Sequence, residues 1–191
     1  MKLTFATNNK HKLEEVQAIL GINFELAGLE DIGCTEEVPE TGNTLEANAI
    51  EKAKYIYNKY HVNCFADDTG LEIEYLNGAP GVYSARYAGE QKNPADNVRK
   101  VLSEMQNAKN RKARFRCVIA LILDGKEYLF EGIVNGKMLC KPSGNGGFGY
   151  DPIFYVPSEG KTAAELTREE KSAISHRGQA LKQLLEAMRH G

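Results

Sequence analysis

Apolar positions along this chain repeat with two periods, and each change of period predicts an element. Residues 3–6 alternate as a short strand, and Thr7, Asn8 and Asn9 behind them are helix-capping types. Leu13, Val16, Ile19 and Leu20 then share one face of a helix that Gly21 stops. Residues 22–27 read as a second strand. Thr41, Gly42 and Asn43 open a longer helix with Leu45, Ala49, Ile50, Ala53, Ile56, Tyr57 and Tyr60 as its apolar positions. Residues 63–66 predict a brief buried strand that stops at Asp67-Asp68, and residues 71–75 a separate one. Asn77 to Gly81 is rich in Gly and Pro and reads as a loop.

Asn93 and Pro94 begin a third helix with proline in its first position, running to about Met105. Residues 114–123 and 127–134 flank Asp124-Gly125, a hairpin turn dipeptide. Residues 153–156 form a short strand, Thr167 with Glu170 makes a capping box, and Ser175 precedes a last helix ending near Met188. This order is α/β with a sheet of mixed direction, and with neither repeats nor linkers residues 1–191 read as a single domain.

At 191 residues the chain is long enough to bury a core, and 42% hydrophobic with 26% charged residues is ordinary for a soluble globular protein. A net charge of −2, from 24 basic and 26 acidic side chains, argues against nucleic acid as a partner. No apolar run approaches the roughly 18 residues that span a bilayer, and the N-terminal apolar run is too short for a signal peptide. No membrane partner and a cytoplasmic location are therefore expected. Cys34, Cys64, Cys117 and Cys140 lack CxxC spacing and read as reduced thiols rather than zinc ligands.

Four segments carry candidate chemistry. Residues 144–154 read GNGGFGYDPIF, in which glycines allow close backbone approach and Phe148 and Tyr150 supply rings able to lie against a planar ligand. A glycine turn with one ring in the core is the alternative. Thr7 to Lys12 sit at a strand-to-helix junction, where free N–H groups and Lys12 attract anions; simple capping is the alternative there. Asp67 and Asp68 repel one another unless a metal or donors offset the charge, and Glu36, Glu37 and Glu40 add hard oxygens. An ordinary turn is the competing reading of Asp67 to Gly70. Lys171, His176 and Arg177 place basic groups near the start of the last helix, either facing a ligand or forming a solvated basic face.

Together these residues resemble the inosine triphosphate pyrophosphatase (Ham1-like) family. The matching pieces are Thr7 to Lys12, Glu40-Thr41-Gly42, Asn48 to Lys52, Ala66 to Leu71, Gly78 to Gly81 with Tyr83 to Tyr87, Gly146 to Phe154, Lys171 and Ser175-His176-Arg177, in the family's order over nearly the whole chain. The resemblance implies hydrolysis of noncanonical purine nucleoside triphosphates (ITP, dITP, XTP) to the monophosphate and pyrophosphate. It implies an elongated mixed sheet flanked by helices, two lobes with a central substrate cleft, and a homodimer. It also implies that Thr7, Asn8, Asn9, Lys10, His11 and Lys12 hold phosphates. Glu40 and Asp68 are implied to bind Mg2+, with Asp68 as proton acceptor. Thr69, Phe148, Gly149, Tyr150, Asp151, Lys171, His176 and Arg177 are implied to line the substrate, with Lys52 a second cation.

Two positions depart from the family pattern. Asn8 stands where many relatives have glycine, but Asn tolerates a left-handed backbone better than most residues, so the turn is expected to survive; Thr69 replaces the commoner serine. Two other readings compete with the purine pyrophosphatase. A Maf-like pyrophosphatase for modified pyrimidines is disfavoured by Phe148 to Asp151 and Ser175 to Arg177. A nucleotide sensor without turnover is disfavoured by the retained Glu40, Asp67 and Asp68. A purely structural module explains none of these residues.

Overall fold

Local capping sets most helix boundaries in the computed structural model, which describes residues 1–190. The elements run β1 (Lys2–Phe5), α1 (Lys10–Leu20), β2 (Glu25–Ala27), α2 (Leu45–Tyr60), β3 (Cys64–Ile73), α3 (Pro94–Glu104), β4 (Lys112–Leu123), β5 (Lys126–Met138), β6 (Phe154–Val156), β7 (Lys161–Thr162), α4 (Arg168–Ile174) and α5 (His176–His190). The Asn9 side chain accepts from Lys12 N to start α1, and Gly21 ends that helix at φ 76°. Asn93 caps α3 with Pro94 behind it. Thr167 and Glu170 form the reciprocal capping box of α4. Between β4 and β5, Asp124 and Gly125 both take positive φ (50° and 81°), as a type I′ hairpin requires.

The seven strands are ordered β2-β1-β3-β4-β5-β6-β7 in one open sheet. β1 pairs in parallel with β2 and β3, whereas β5–β6 and β6–β7 are antiparallel. The sheet is therefore mixed, as the sequence predicted.

The chain packs as two units. One comprises Met1–Asp68, Cys117–Gly132 and the chain from Arg177 onward; the other comprises Thr69–Arg116 and Ile133–His176. In the first, Leu3 and Phe5 of β1, Phe65 of β3 and Ile119 and Leu121 of β4 meet Val16 of α1 and Leu181 and Leu184 of α5. The Phe5 and Phe65 rings stack with centroids 4.5 Å apart. In the second, Leu71 and Ile73 of β3, Val101 and Met105 about α3, Met138 of β5 and Phe154 and Val156 of β6 form a separate core. No disulfide joins the four cysteines, three of which are buried.

Three expectations change. The predicted break at Asp67-Asp68 is absent, and β3 is one strand of ten residues through Thr69 and Gly70. Carboxylates favour turns because they compete for nearby backbone donors, but here distant side chains occupy both of them. Thr44, rather than Thr41 to Asn43, caps α2, accepting from Ala47 N at 3.0 Å. β7 is too short to show any period.

Candidate active site

Successive residues of a strand point to opposite faces, and this splits the two aspartates. Asp67 shares the face of Phe65, on which α1 and α5 pack. Asp68 shares the face of Cys64 and Ala66, and the Cys64 thiol reaches the Ala53 carbonyl of α2 at 3.3 Å. Adjacent carboxylates thus face different helices.

Asp67 is 3% exposed. Lys12 Nζ donates to both its oxygens at 3.4 Å, and Arg177 Nε donates at 3.0 Å. Arg177 also reaches Glu15 at 3.2 Å. Burial alone would raise the Asp67 pKa, but the charges of Lys12, Arg177 and Lys52 outweigh it and hold the carboxyl well below the usual range.

Asp68 has the opposite balance. Burial, reinforced by the adjoining Glu40 carboxyl, outweighs Lys52 and the Asn48 hydrogen bond and pushes its pKa up to about 6. Asn48 Nδ2 donates to Asp68 Oδ2 at 3.0 Å. Lys52 Nζ lies 3.0 Å from Glu40 Oε1 and donates to the Asp67 carbonyl at 2.5 Å. Burial would lower the Lys52 pKa, yet the carboxylates of Asp67, Glu40 and Asp68 raise it, so this lysine stays charged.

The first turns of α2 also hold the segment that carries Glu40. Glu51 accepts from Thr41 N at 2.7 Å and from Thr41 Oγ1 at 2.8 Å, and Asn48 Oδ1 accepts from Gly42 N at 2.7 Å. Glu36 belongs to another cluster: Lys59, Tyr60 and Tyr55 all donate to its Oε1, and they hold its pKa well below the usual range. The expectation that Glu36 adds a metal oxygen is corrected, since its charge is already satisfied.

Residues 7–12 form the turn from β1 into α1. Asn9 N donates to Thr7 Oγ1 at 3.2 Å, and Asn8, Asn9, Lys10 and His11 are exposed. No acidic residue lies in the first turn of α1, so the positive end of its dipole is not offset there by a carboxylate and lies beside Lys12, whose own N–H the Asn9 cap takes. Asn8 keeps a negative φ, since positive φ at non-glycine residues 1–190 is confined to His61, Asn77, Lys92 and Asp124. The turn therefore forms without drawing on the tolerance of Asn for a left-handed backbone.

The remaining predicted residues lie in the second unit. Phe148 is 81% exposed, whereas Tyr150 and Asp151 beside it are buried. Tyr150 donates to the Ser84 carbonyl at 2.6 Å. Asp151 Oδ2 accepts from Phe148 N at 3.1 Å and from Lys171 Nζ at 2.5 Å, and that ammonium sits 5.1 Å from the Phe148 ring centroid. Gly147 has φ +68°, and a Cβ there would lie 2.3 Å from Asp151 Oδ2, so only glycine permits this loop. His176 stacks on Phe115 at 5.7 Å, and Thr69 follows Asp68 directly along β3. The loop presents one bare ring on a rigid base.

Sequence reasoning left Asp67 and Asn48 without roles. A polar residue on the apolar stripe of α2, 2% exposed, was the available signal for Asn48. For Asp67 the signal was its adjacency to Asp68, which called for a metal or donors without naming them, since its partners are remote along the chain.

A sequence model of the Ham1 family matches residues 3–187. A dITP/XTP pyrophosphatase of Flavobacterium johnsoniae is 53% identical, with 98% of each chain covered. The Staphylococcus aureus Ham1 protein structure superposes with a TM-score of 0.94 at 39% identity, covering 100% of this chain and 99% of that one. A HAM1 protein structure from Coxiella burnetii gives 0.94 at 40% identity, with 100% of both chains covered. Matched by the family model over residues 3–187 and by a relative 53% identical over nearly its full length, this chain belongs to the Ham1 family.

Proposed function

We propose that the protein hydrolyses noncanonical purine nucleoside triphosphates, ITP, dITP and XTP, to the monophosphate and pyrophosphate. The observation that carries this reading is the split of Asp67 and Asp68. One carboxylate is neutralised by fixed cations, and its neighbour is left basic beside Glu40. A carboxylate raised to about 6 is a stronger proton acceptor near neutral pH than an ordinary aspartate. Relatives sharing half of the sequence carry the name dITP/XTP pyrophosphatase.

Two adjoining carboxylates at the edge of a lysine cluster suit magnesium, which takes few protein oxygens and keeps water and phosphate ligands. Glu40 and Asp68 would hold it. When bound, such an ion neutralises phosphate charge and makes a coordinated water more acidic. Asp68 accepts the proton of the water that attacks the α-phosphorus. Lys12, Lys52 and the open N-terminus of α1 bind the phosphate oxygens and stabilise charge on the departing pyrophosphate. Arg177 and Asp67 keep Lys12 in place.

Phe148 stacks on the purine, with Lys171 and Asp151 holding the loop beneath it. Donors from His176, Arg177 or backbone N–H groups favour a 6-keto purine; guanine shares that group, so its exclusion rests on the 2-position. Set against the adenine amino group, each donor left unpaired costs about 1–3 kcal/mol. This reading includes a homodimer in the cytoplasm with neither a nucleic-acid nor a membrane partner. No helix of residues 1–190 is long and apolar enough to cross a membrane.

The test is pyrophosphate release from ITP with Mg2+, beside ATP and GTP at equal concentration. IMP and pyrophosphate from ITP, with little from ATP or GTP, are expected. Orthophosphate with IDP would place attack at the γ-phosphorus and overturn the mechanism; bound but uncleaved ITP would overturn the activity.

A further inference from the structure

Glu40 and Asp68 come from different segments, so something must set their spacing. Glu40 lies on the extended stretch before α2 and Asp68 on β3. The first turns of α2 grip that stretch with Asn48, Glu51 and Lys52, which share one helix face by their i, i+3 and i+4 spacing. Glu51 and Lys52 each take one residue of the stretch, Thr41 and Glu40. Lys52 also reaches the strand at the Asp67 carbonyl, but Asn48 is the one that holds the Asp68 carboxylate itself. Asn48 Oδ1 accepts from Gly42 N at 2.7 Å while its Nδ2 donates to Asp68 Oδ2 at 3.0 Å. The amide is 2% exposed on an otherwise apolar stripe, a place where a polar group persists only when fully hydrogen-bonded.

Gly42 is the other half of the device. A Cβ at this position would lie 2.7 Å from Ala47 Cβ and 2.8 Å from Asn48 Oδ1, so only glycine lets the stretch come this close. With two hydrogen bonds in opposite directions, one rigid amide spans the gap between the two carboxylate-bearing segments.

We propose that Asn48 is a positioning residue: it sets Glu40 against Asp68 before any divalent cation or triphosphate arrives. This inference rests on the reading of Glu40 and Asp68 as the cation-binding pair. Asn48 acts on the chemistry only through the carboxylate pair, by its hydrogen bonds to Gly42 N and Asp68 Oδ2. Residues that orient metal-binding carboxylates typically change metal affinity tenfold to a hundredfold when replaced.

The experiment uses the full chain, Asn48→Leu (similar volume, no polar atoms) and Gly42→Ala, which pushes from the other side. Mg2+ alone is titrated into each protein calorimetrically without nucleotide, and ITP turnover is then followed against Mg2+ concentration. Both variants should bind Mg2+ about tenfold to a hundredfold more weakly, and excess Mg2+ should restore most of kcat with KM for ITP little changed. Variants that melt earlier yet keep wild-type Mg2+ affinity would overturn the inference and leave Asn48 a packing residue. Should Asn48→Leu not fold, by circular dichroism, Gly42→Ala decides alone. A wild-type protein that neither binds Mg2+ nor cleaves ITP would sink the site reading together with the inference. A wild-type protein that does both, beside unaffected variants, sinks only the role of Asn48.

Discussion

The two halves of the proposed machinery are built on opposite plans. Around β3 of the first unit the charged groups are buried and matched: Asp67 is 3% exposed and meets Lys12 and Arg177 directly. In the second unit the ring of Phe148 stands 81% exposed, while Tyr150 and Asp151, which follow it in the loop, are anchored inward. Charge chemistry needs preorganised partners, because reorienting dipoles during the reaction raises the barrier. Stacking needs only an open face on a firm support. The difference predicts that substitutions in the first region alter both chemistry and stability, whereas exposed ones in the second alter affinity alone.

The strongest way to break this comparison is Asp68→Asn. Turnover should fall by about 10² to 10⁴, the usual contribution of a positioned proton acceptor, while circular dichroism stays that of the native fold. The same variant should melt at higher denaturant in metal-free buffer at pH 7. The folded pKa near 6 exceeds the ordinary 3.8, so the folded state holds this proton longer and loses stability as pH rises from about 4 to 6. Removing that penalty adds on the order of 1–3 kcal/mol. An unfolded Asp68→Asn protein would instead make Asp68 a structural carboxylate.

Asp67→Asn should do the reverse. Leaving Lys12 and Arg177 without their buried partner costs about 3–5 kcal/mol, read from urea midpoints at pH 7. The sign of its pH dependence is also opposite. With a folded pKa below 3.8, Asp67 contributes stability above that value and loses it as pH falls. The wild-type protein should therefore weaken below about pH 4, and Asp67→Asn should flatten that acid limb. Equal acid limbs in the two proteins would refute the assignment.

Phe148→Ala sharpens the other side. Removing one aromatic platform costs about 1–3 kcal/mol of binding to a stacked base, so affinity for ITP should fall roughly tenfold to a hundredfold. Stability should move by less than about 0.5 kcal/mol, as for other exposed sites. A lowered midpoint of larger size would show that the ring packs after all. Smallest of the four, Tyr150→Phe removes the bond to the Ser84 carbonyl and should cost about 1 kcal/mol of stability, with loss of ITP affinity following only as the loop loosens.

Much of this was legible along the chain. The caps Asn9, Asn93 and Thr167, the Asp124-Gly125 turn and the helix faces were all readable, because each is settled by residues within a few positions of itself. Composition set the globular character, the order of predicted elements the α/β class, and the order of motifs pointed to the family. The tertiary structure alone decided that β3 runs unbroken through Asp67 and Asp68, and that these neighbours carry opposite electrostatic roles. It alone made Asn48 a bridge and took Glu36 away from the site. The reason is distance along the chain. Asp67 meets Lys12 from 55 positions away and Arg177 from 110, and burial, which shifts both pKa values, exists only once those segments have packed.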